Sequence, residues 1–500
     1  MGTRAFPPEI LEGRVTLQPG NPYDQRTVQG DVKRLQDYMG YRGHQVTVNE
    51  NITEVPDEPG LVRVAYQVNG DRGEPDRVGQ VTIEGNTITQ ERVIRNQLGL
   101  YPGQVLPYPM KQTAEQRLAR LGIFDTTTPP EVVIMPNPLD GFKDVIVRVN
   151  ETRTGQFMIG AGINSNAGLN GSIVINERNF DLFRFPTSWD DFRSGQAFRG
   201  NGQEFQLSAQ PGTQYSRYSA TFREPYLFDT LFGFQDSLYF FQRQYNEYLE
   251  ERIGDKVTIS RMLDPLWRAS LSVRAEAVEV KNPPSYAGSG ITDYVGWHAL
   301  YGVRLGLTRD SRDSVLFPTS GSVFDIGVEQ EFGDYAFPVA TAEYTKLFSS
   351  NMAPFAREDG SGKHVLAFRT QLSVEGGNAP IYERFFAGGF RSIRGFTFDG
   401  VGPSQNDLMT RGTFMFLNSL EYQIPILQND KLHFVTFVDS GTVESSVEIR
   451  NYRVSAGFGF RISVPALGPQ PIALDFAFPI VKTATDNTQV FSFYVGMFGL

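Results

Sequence analysis

The sequence predicts an all-β transmembrane antiparallel barrel of about sixteen strands, preceded by α+β modules. Three observations carry that prediction. From Gln156 onward, polarity alternates with a period of two, setting aromatics on one side of each segment and small or charged residues on the other. No stretch approaches the roughly 18 consecutive apolar residues of a spanning helix, a test that barrel strands escape because they average to neutral hydropathy. The first 150 residues, in contrast, mix helical and strand periodicities and repeat internally.

Composition agrees. The 500 residues are too many for one ordinary domain. With 46 basic and 56 acidic residues the net charge is -10, which argues against a general nucleic-acid binder. Cysteine is absent, excluding disulfides, thiolate zinc sites and cysteine nucleophiles. There are 39 Phe, 21 Tyr and 50 Gly, yet the mean hydropathy is only -0.29.

In chain order, Asp24 is placed to cap a helix whose apolar positions are Val28, Val32, Leu35 and Met39, with Gly40 as its stop. Met110, Ala114, Leu118 and Leu121 repeat the pattern up to Gly122. Strands are expected at Gln45–Val48 and Val62–Val68 after the first helix, and at Glu131–Met135 and Asp144–Val149 after the second. Leu17-Gln18-Pro19-Gly20 matches Leu100-Tyr101-Pro102-Gly103, and Arg34-Leu35 matches Arg117-Leu118 at the same offset. The second copy opens with a strand at Gln80–Asn86 and a helix from about Thr89 to Leu98. The equivalent strand of the first copy is missing, so the N-terminus reads as a cut through a longer repeat array. Met1–Arg4 leads into no apolar core, so no secretory signal is expected. The expected organisation is a partial module over 1–72, a second over 73–151 and a barrel over 152–500.

Within the barrel region, Tyr452, Val454, Ala456, Phe458, Phe460 and Ile462 alternate with Arg453, Ser455, Gly457, Gly459, Arg461 and Ser463. Such alternation suits a strand with one face on lipid and the other on a wet lumen. Strand starts fall at about 156, 170, 203, 214, 231, 256, 267, 297, 321, 337, 364, 413, 431, 452, 470 and 490. An even number closes a barrel and leaves no unpaired edge in hydrocarbon. One connection, about 377–412, is far longer than the others and rich in Gly and aromatics; long loops of that kind are usually functional.

That loop contains Gly388-Gly389-Phe390-Arg391-Ser392-Ile393-Arg394-Gly395-Phe396. Arg309–Asp313 with Phe317–Gly321, Asn418–Tyr422, Phe437–Gly441 and the ending Phe491–Phe498 accompany it in order. Together they resemble the BamA-type outer-membrane assembly family, and the N-terminal copies resemble its POTRA modules, of βααββ order. The chain departs from that pattern in ending at Leu500, two residues beyond Phe498. The resemblance implies a sixteen-stranded barrel in a bacterial outer membrane, with its N-terminal modules in the periplasm. It also implies that the long loop folds into the lumen, where Arg394, flanked by Gly395 and Phe396, pairs with Glu421 and Asp439. Strand parity agrees: Glu421 inward leaves Leu420 and Tyr422 for lipid, and Asp439 inward leaves Phe434, Thr436 and Val438 outside. From spacing alone, Arg394 is more readily a solvated residue of a Gly-rich turn than a latch, and the surrounding motifs turn the balance.

No catalytic constellation stands out. His44, His298, His364 and His433 are scattered without metal-ligand spacing, and there is no phosphate-cradling Gly-Lys-Thr loop. The chain therefore reads as neither an enzyme nor a metal or cofactor protein. Work without fuel points instead to the seam between the first and last strands, the first carrying Gly160 and Gly162 and the last Gly496, because glycine weakens strand packing. An opened seam offers an unpaired edge that templates an incoming strand, although the same glycines would also relieve crowding in a curved sheet. Phe491, Phe493, Val495 and Phe498 form the aromatic closing-strand signal. The function implied is insertion of unfolded barrel proteins into the outer membrane. Its expected partners are those unfolded clients, periplasmic chaperones and accessory lipoproteins. The alternative is a two-partner secretion transporter passing an extended client through the lumen.

Overall fold

The structure, a computed structural model, describes residues 3, 5–56, 58, 60–315, 317–352, 362–427, 430–464 and 471–496. The chain divides into two units, Met1–Gly155 with Arg178–Gln203, and Gln156–Glu177 with Glu204–Leu500.

In the first unit, α1 (Pro8–Glu12) and α2 (Gln25–Gly40) precede the antiparallel pair β1 (Thr47–Glu54) and β2 (Val62–Asn69). Asp24 caps α2 as its position predicts, accepting from the Arg26 and Thr27 amides at 3.3 and 3.1 Å. Leu35 and Met39 bury against Phe6, Leu11 and Val48. Asp31 shares that buried face; its carboxylate accepts from the Thr16 and Leu17 amides at 2.9 and 3.0 Å, which offsets its desolvation.

The second module runs β3 (Arg77–Glu84), α3 (Glu91–Leu98), α4 (Met110–Arg120), β4 (Glu131–Pro136) and β5 (Phe142–Arg148). Its sheet order is β3-β5-β4, with β3 parallel and β4 antiparallel to β5. Ile94, Leu98, Ala114 and Leu118 of the helices pack on Val78, Val132, Val145 and Val147. Gly99 ends α3 in the left-handed conformation, φ 62°, where a side chain would be strained.

Just beyond β5, Glu151 accepts from the Thr87, Ile88 and Thr89 amides at 2.9, 2.9 and 2.6 Å, and from the Thr87 hydroxyl at 2.6 Å. Partial burial alone would push this carboxyl up, but the Thr87, Thr89 and Ile88 donors outweigh it and pull the pKa down to about 2. Because the folded value is depressed, its stabilisation is fully present above the ordinary carboxylate range and is lost as pH falls through about 2. Glu151→Gln is expected to cost about 1–3 kcal/mol at neutral pH. Faster amide exchange at Thr87–Thr89 would report it, and the difference from the parent chain would shrink as the pH approaches that value.

The second unit is the barrel. Its strands are β6 (Gly155–Asn164), β7 (Gly168–Phe180), β8 (Gln203–Gln210), β9 (Tyr215–Glu224), β10 (Phe232–Gln244), β11 (Leu249–Met262), β12 (Trp267–Lys281) and β13 (Gly296–Asp310). They continue with β14 (Gly321–Gly333), β15 (Phe337–Ser350) and β16 (His364–Glu375). After the long loop come β20 (Phe414–Pro425), β21 (Leu432–Glu444), β22 (Arg453–Ile462), β23 (Ile472–Val481) and β25 (Phe491–Gly496). Two-residue strands β17 (Gly395–Phe396), β18 (Ser404–Gln405), β19 (Leu408–Met409) and β24 (Thr488–Gln489) lie outside the wall. The sixteen wall strands are antiparallel neighbours in chain order, and β25 pairs with β6 to close the circle.

Exposed Leu271 and Val273, Val303 and Leu305, and Ile326 and Val328 alternate with inward Ser272, Arg274, Arg304 and Glu329. That is the lipid-out, polar-in pattern of a membrane barrel. Trp267 and Trp297 stand near opposite ends of the β12–β13 hairpin, where aromatic girdles meet the two interfaces. The one strand start displaced by more than a few residues is that of β11, at Leu249 rather than near 256. Glu250, Glu251 and Arg252 open it with charge on both faces, so no apolar alternation marks its beginning. Residues 178–203 join the N-terminal unit through side-chain bonds such as Asn179 to Thr89 at 2.9 Å and Gln90 to Asp181 at 3.0 Å.

Candidate functional site

The long loop between β16 and β20 is ordered through contacts to the wall in three places. At its tip, Gly388 and Gly389 take φ values of 110° and 86°, and a Cβ on Gly388 would lie 2.0 Å from the Thr397 carbonyl. Only glycine permits that close approach. The turn presents Arg394, whose Nε and Nη2 donate to the two oxygens of Asp439 at 2.7 and 2.9 Å. Its Nη1 donates to Glu421 at 2.6 Å, and its own amide donates to Asp439 at 3.1 Å. The guanidinium centre sits 3.4 Å from the centroid of the Phe437 ring. A planar fork satisfies one carboxylate bidentately while reaching a second, which a lysine ammonium does not do.

The wall contributes more than sequence reasoning assigned. Arg461 donates to Asp475 at 2.6 Å and to Glu421 at 3.3 Å, and Asp475 lies 3.8 Å from Arg394. Ser419 donates to Asp439 at 2.7 Å, and Gln423 to Glu421 at 2.9 Å. Two guanidinium groups thus neutralise most of three carboxylates carried by β20, β21 and β23, with Arg461 on β22 between them. Arg461 and Asp475 already lay on the inward parity of their strands; that signal existed but did not single them out.

Gly395, at φ 93°, and Phe396 pair as β17 with Gln489 and Thr488 of β24. Phe396 is buried among Ile393, Val401, Met415, Leu417 and Val443. Farther along, Arg411 donates to Asp399 at 2.8 Å and to the Tyr248 hydroxyl at 2.7 Å. At the loop's beginning, Glu383 accepts from Arg252 at 2.7 Å and Arg274 at 3.1 Å, while Ala379, Ile381 and Tyr382 pack on Tyr248, Val278 and Phe337. Neither of these tethers has a local sequence signature, because each joins residues more than a hundred positions apart or sits in an unremarkable turn.

At the closing junction, Tyr494, Val495 and Gly496 pair with Asn164, Ile163 and Gly162 among the described residues. The two glycines face each other, and Gly160 lies two residues earlier on β6, outside the described pairs. Phe491 and Phe493 stack at 5.7 Å, and Phe491 meets Phe476 at 5.0 Å, continuing an outer aromatic ladder from Phe434 through Phe458. Phe498 lies outside the described residues. The loop reaches this junction too: the Phe390 and Tyr494 rings are 5.8 Å apart. Among the described residues no group of three His, Cys, Asp or Glu side chains is arranged to hold a metal ion.

These features define a class: a sixteen-stranded membrane barrel preceded in the chain by repeat modules, with an arginine-bearing loop docked on its inner wall. Residues 197–498 match the Omp85 superfamily domain, and residues 1–70 and 77–152 match POTRA, the surface antigen variable number repeat. The chain belongs to the Omp85 superfamily. It is 24% identical over 487 residues to the outer membrane protein assembly factor BamA of Nitratidesulfovibrio vulgaris, covering 94% of this chain and 57% of that one. The factor of the same name from Neisseria meningitidis is 23% identical, with 99% of this chain and 65% of that one covered. The chain therefore spans less than two thirds of the length of these relatives. In fold it is similar to the crystal structure of BamA from Haemophilus ducreyi lacking POTRA domains 1–3, with a TM-score of 0.69 and 19% identity over 97% of this chain and 96% of that one.

Proposed function

We propose that this chain is the membrane-embedded part of an assembly factor that receives unfolded outer-membrane β-barrel proteins and promotes their folding into the bilayer. The reading places the barrel in a bacterial outer membrane and the POTRA modules in the periplasm. Support comes from the superfamily and from relatives whose names state outer membrane protein assembly. The observation that carries the mechanism is the glycine pair Gly162–Gly496 at the closing junction. Glycine brings no side chain to pack across a strand pair; where Gly306 meets Gly327 inside the wall, eleven residue pairs share the ladder, against three described pairs here, so the closing junction parts at lower cost.

A parted seam exposes backbone donors and acceptors that the first strand of a client pairs with, and successive client strands then add by the same augmentation. No catalytic group, cofactor or nucleotide is required, because burial of the client in lipid supplies the driving force. In this reading the Arg394 cluster fixes the loop on the wall formed by β20–β23, next to the strand that closes the barrel. The modules, taken as residues 1–72 and 73–151, offer sheet edges to unfolded clients, periplasmic chaperones and accessory lipoproteins. The test is folding of an urea-unfolded barrel client into liposomes with and without the incorporated chain. Faster client folding supports the reading; equal rates with a correctly folded barrel and a longer parent chain would overturn it.

A further inference from the structure

The connection between β7 and β8 is built unlike a solvated turn. It carries Phe183, Phe185, Trp189 and Phe192, whose relative exposures are 77%, 67%, 75% and 51%. Phe185, Trp189 and Phe192 are held by ring contacts rather than loose. Phe198 backs them, its ring 5.6 Å from Phe185 and 6.3 Å from Phe192, and Trp189 lies 5.8 Å from Phe192. Trp189 and Phe192 ride on α5 (Trp189–Arg193), a helix too short to persist alone. A capping box closes it: the Asp191 amide donates to the Ser188 hydroxyl at 3.3 Å, and the Asp191 carboxylate accepts from the Thr187 and Ser188 amides at 2.7 and 3.1 Å.

A fixed cluster of large aromatics left in water marks a contact surface. Its place in the chain says which. Phe180 ends one membrane-crossing strand and Gln203 begins the next, so the segment starts and finishes where a bilayer meets water. Its charges balance, with Asp181, Asp190 and Asp191 against Arg184, Arg193 and Arg199, which fits a zwitterionic headgroup layer better than a strongly charged protein partner. Trp and Phe beside paired charges are the composition of the interfacial layer, while the polar backbone of so short a helix keeps it out of the hydrocarbon core.

We propose that residues 182–192 form a lipid anchor seated in the phospholipid headgroup layer at the end of the barrel where β7 stops and β8 starts. The same connection is bonded to the second module, through Gln90 N to the Gly200 carbonyl at 2.8 Å and Arg92 Nε to Asn201 at 2.9 Å. A bilayer grip on the anchor is thereby passed to the start of α3.

The test uses the full chain in phosphatidylcholine vesicles. Its three tryptophans are Trp189, Trp267 and Trp297, so Trp267→Phe with Trp297→Phe leaves Trp189 as the sole reporter. Lipid brominated near the headgroup end of the acyl chains is expected to cut its emission to about half, as for tryptophan in an interfacial belt. Chain-end bromines and iodide on both sides should act weakly. Strong iodide quenching without bromolipid quenching, insensitivity to both, or stronger quenching by chain-end bromines would each overturn the proposal. Heat-modifiable gel mobility checks that this variant is folded. If it is not, Phe185→Cys in the cysteine-free chain carries a nitroxide whose collision with oxygen, against a water-soluble nickel chelate, decides the same question.

Discussion

Arg394→Ala is expected to free the loop tip from the wall and to lower client insertion about tenfold while the barrel itself stays closed. The side chain removed is the one that answers two carboxylates at once, and Asp439 has no solvent exposure. Deleting one partner of a buried pair costs about 3–5 kcal/mol in a dry interior and less in a hydrated lumen. Arg461 remains near Glu421 and Asp475 and shares part of the stranded charge. The tethers at Glu383 and at Arg411, which holds Asp399 and Tyr248, keep the rest of the loop near the wall, so the loosened stretch should be about 386–398. Protease cleavage there in proteoliposomes, measured beside client folding, reads the effect. Arg394→Lys is expected to fall between the two, since an ammonium keeps the charge but loses the fork. Adding Asp439→Asn to Arg394→Ala should restore some protease resistance, by removing the uncompensated charge, without restoring insertion. Parental insertion and parental resistance in the single alanine variant would end the latch idea.

The barrel was legible because lipid and lumen impose opposite demands on alternate residues. Val454, Ala456, Phe458 and Phe460 against Arg453, Ser455, Gly457 and Gly459 show it without any knowledge of neighbours. That legibility fails where both faces leave the hydrocarbon. The start of β11 is the case: Glu251 pairs with Lys281 on one face, while Glu250 and Arg252 join the inner charge cluster on the other. Arg394, Glu421 and Asp439 were nameable from ordered motifs and strand parity. Arg461 and Asp475 were not, because their nearness depends on the register of β20 through β23. The meeting of Glu383 with Arg252 and Arg274 depends on closure of the barrel, which no local pattern encodes. In the modules, helical periodicity found α2 and α4 but passed over Asp31, whose burial depends on amides of the preceding turn.

Locking the closing junction should have the largest effect of any change to this protein. Ile163 and Val495 stand directly opposite each other, and the chain has no cysteine of its own to interfere. A disulfide between Ile163→Cys and Val495→Cys is expected to abolish client insertion when oxidised and to return it on reduction, with barrel mobility on gels unchanged. The control is the same chemistry inside the wall, where Leu271 and Leu305 are opposed on β12 and β13; bridging them should leave insertion intact. The contrast follows from where backbone groups become free. At an interior junction both strands are already committed to partners, and a staple removes nothing a client uses. At the closing junction the staple removes the edge on which augmentation begins. A chain that merely conducted an extended client through its lumen would not need that edge and would keep working with the seam locked. Retained insertion in the oxidised seam variant would therefore exclude the lateral route, whereas its reversible loss, with the interior control active, assigns the work to the Gly162–Gly496 junction.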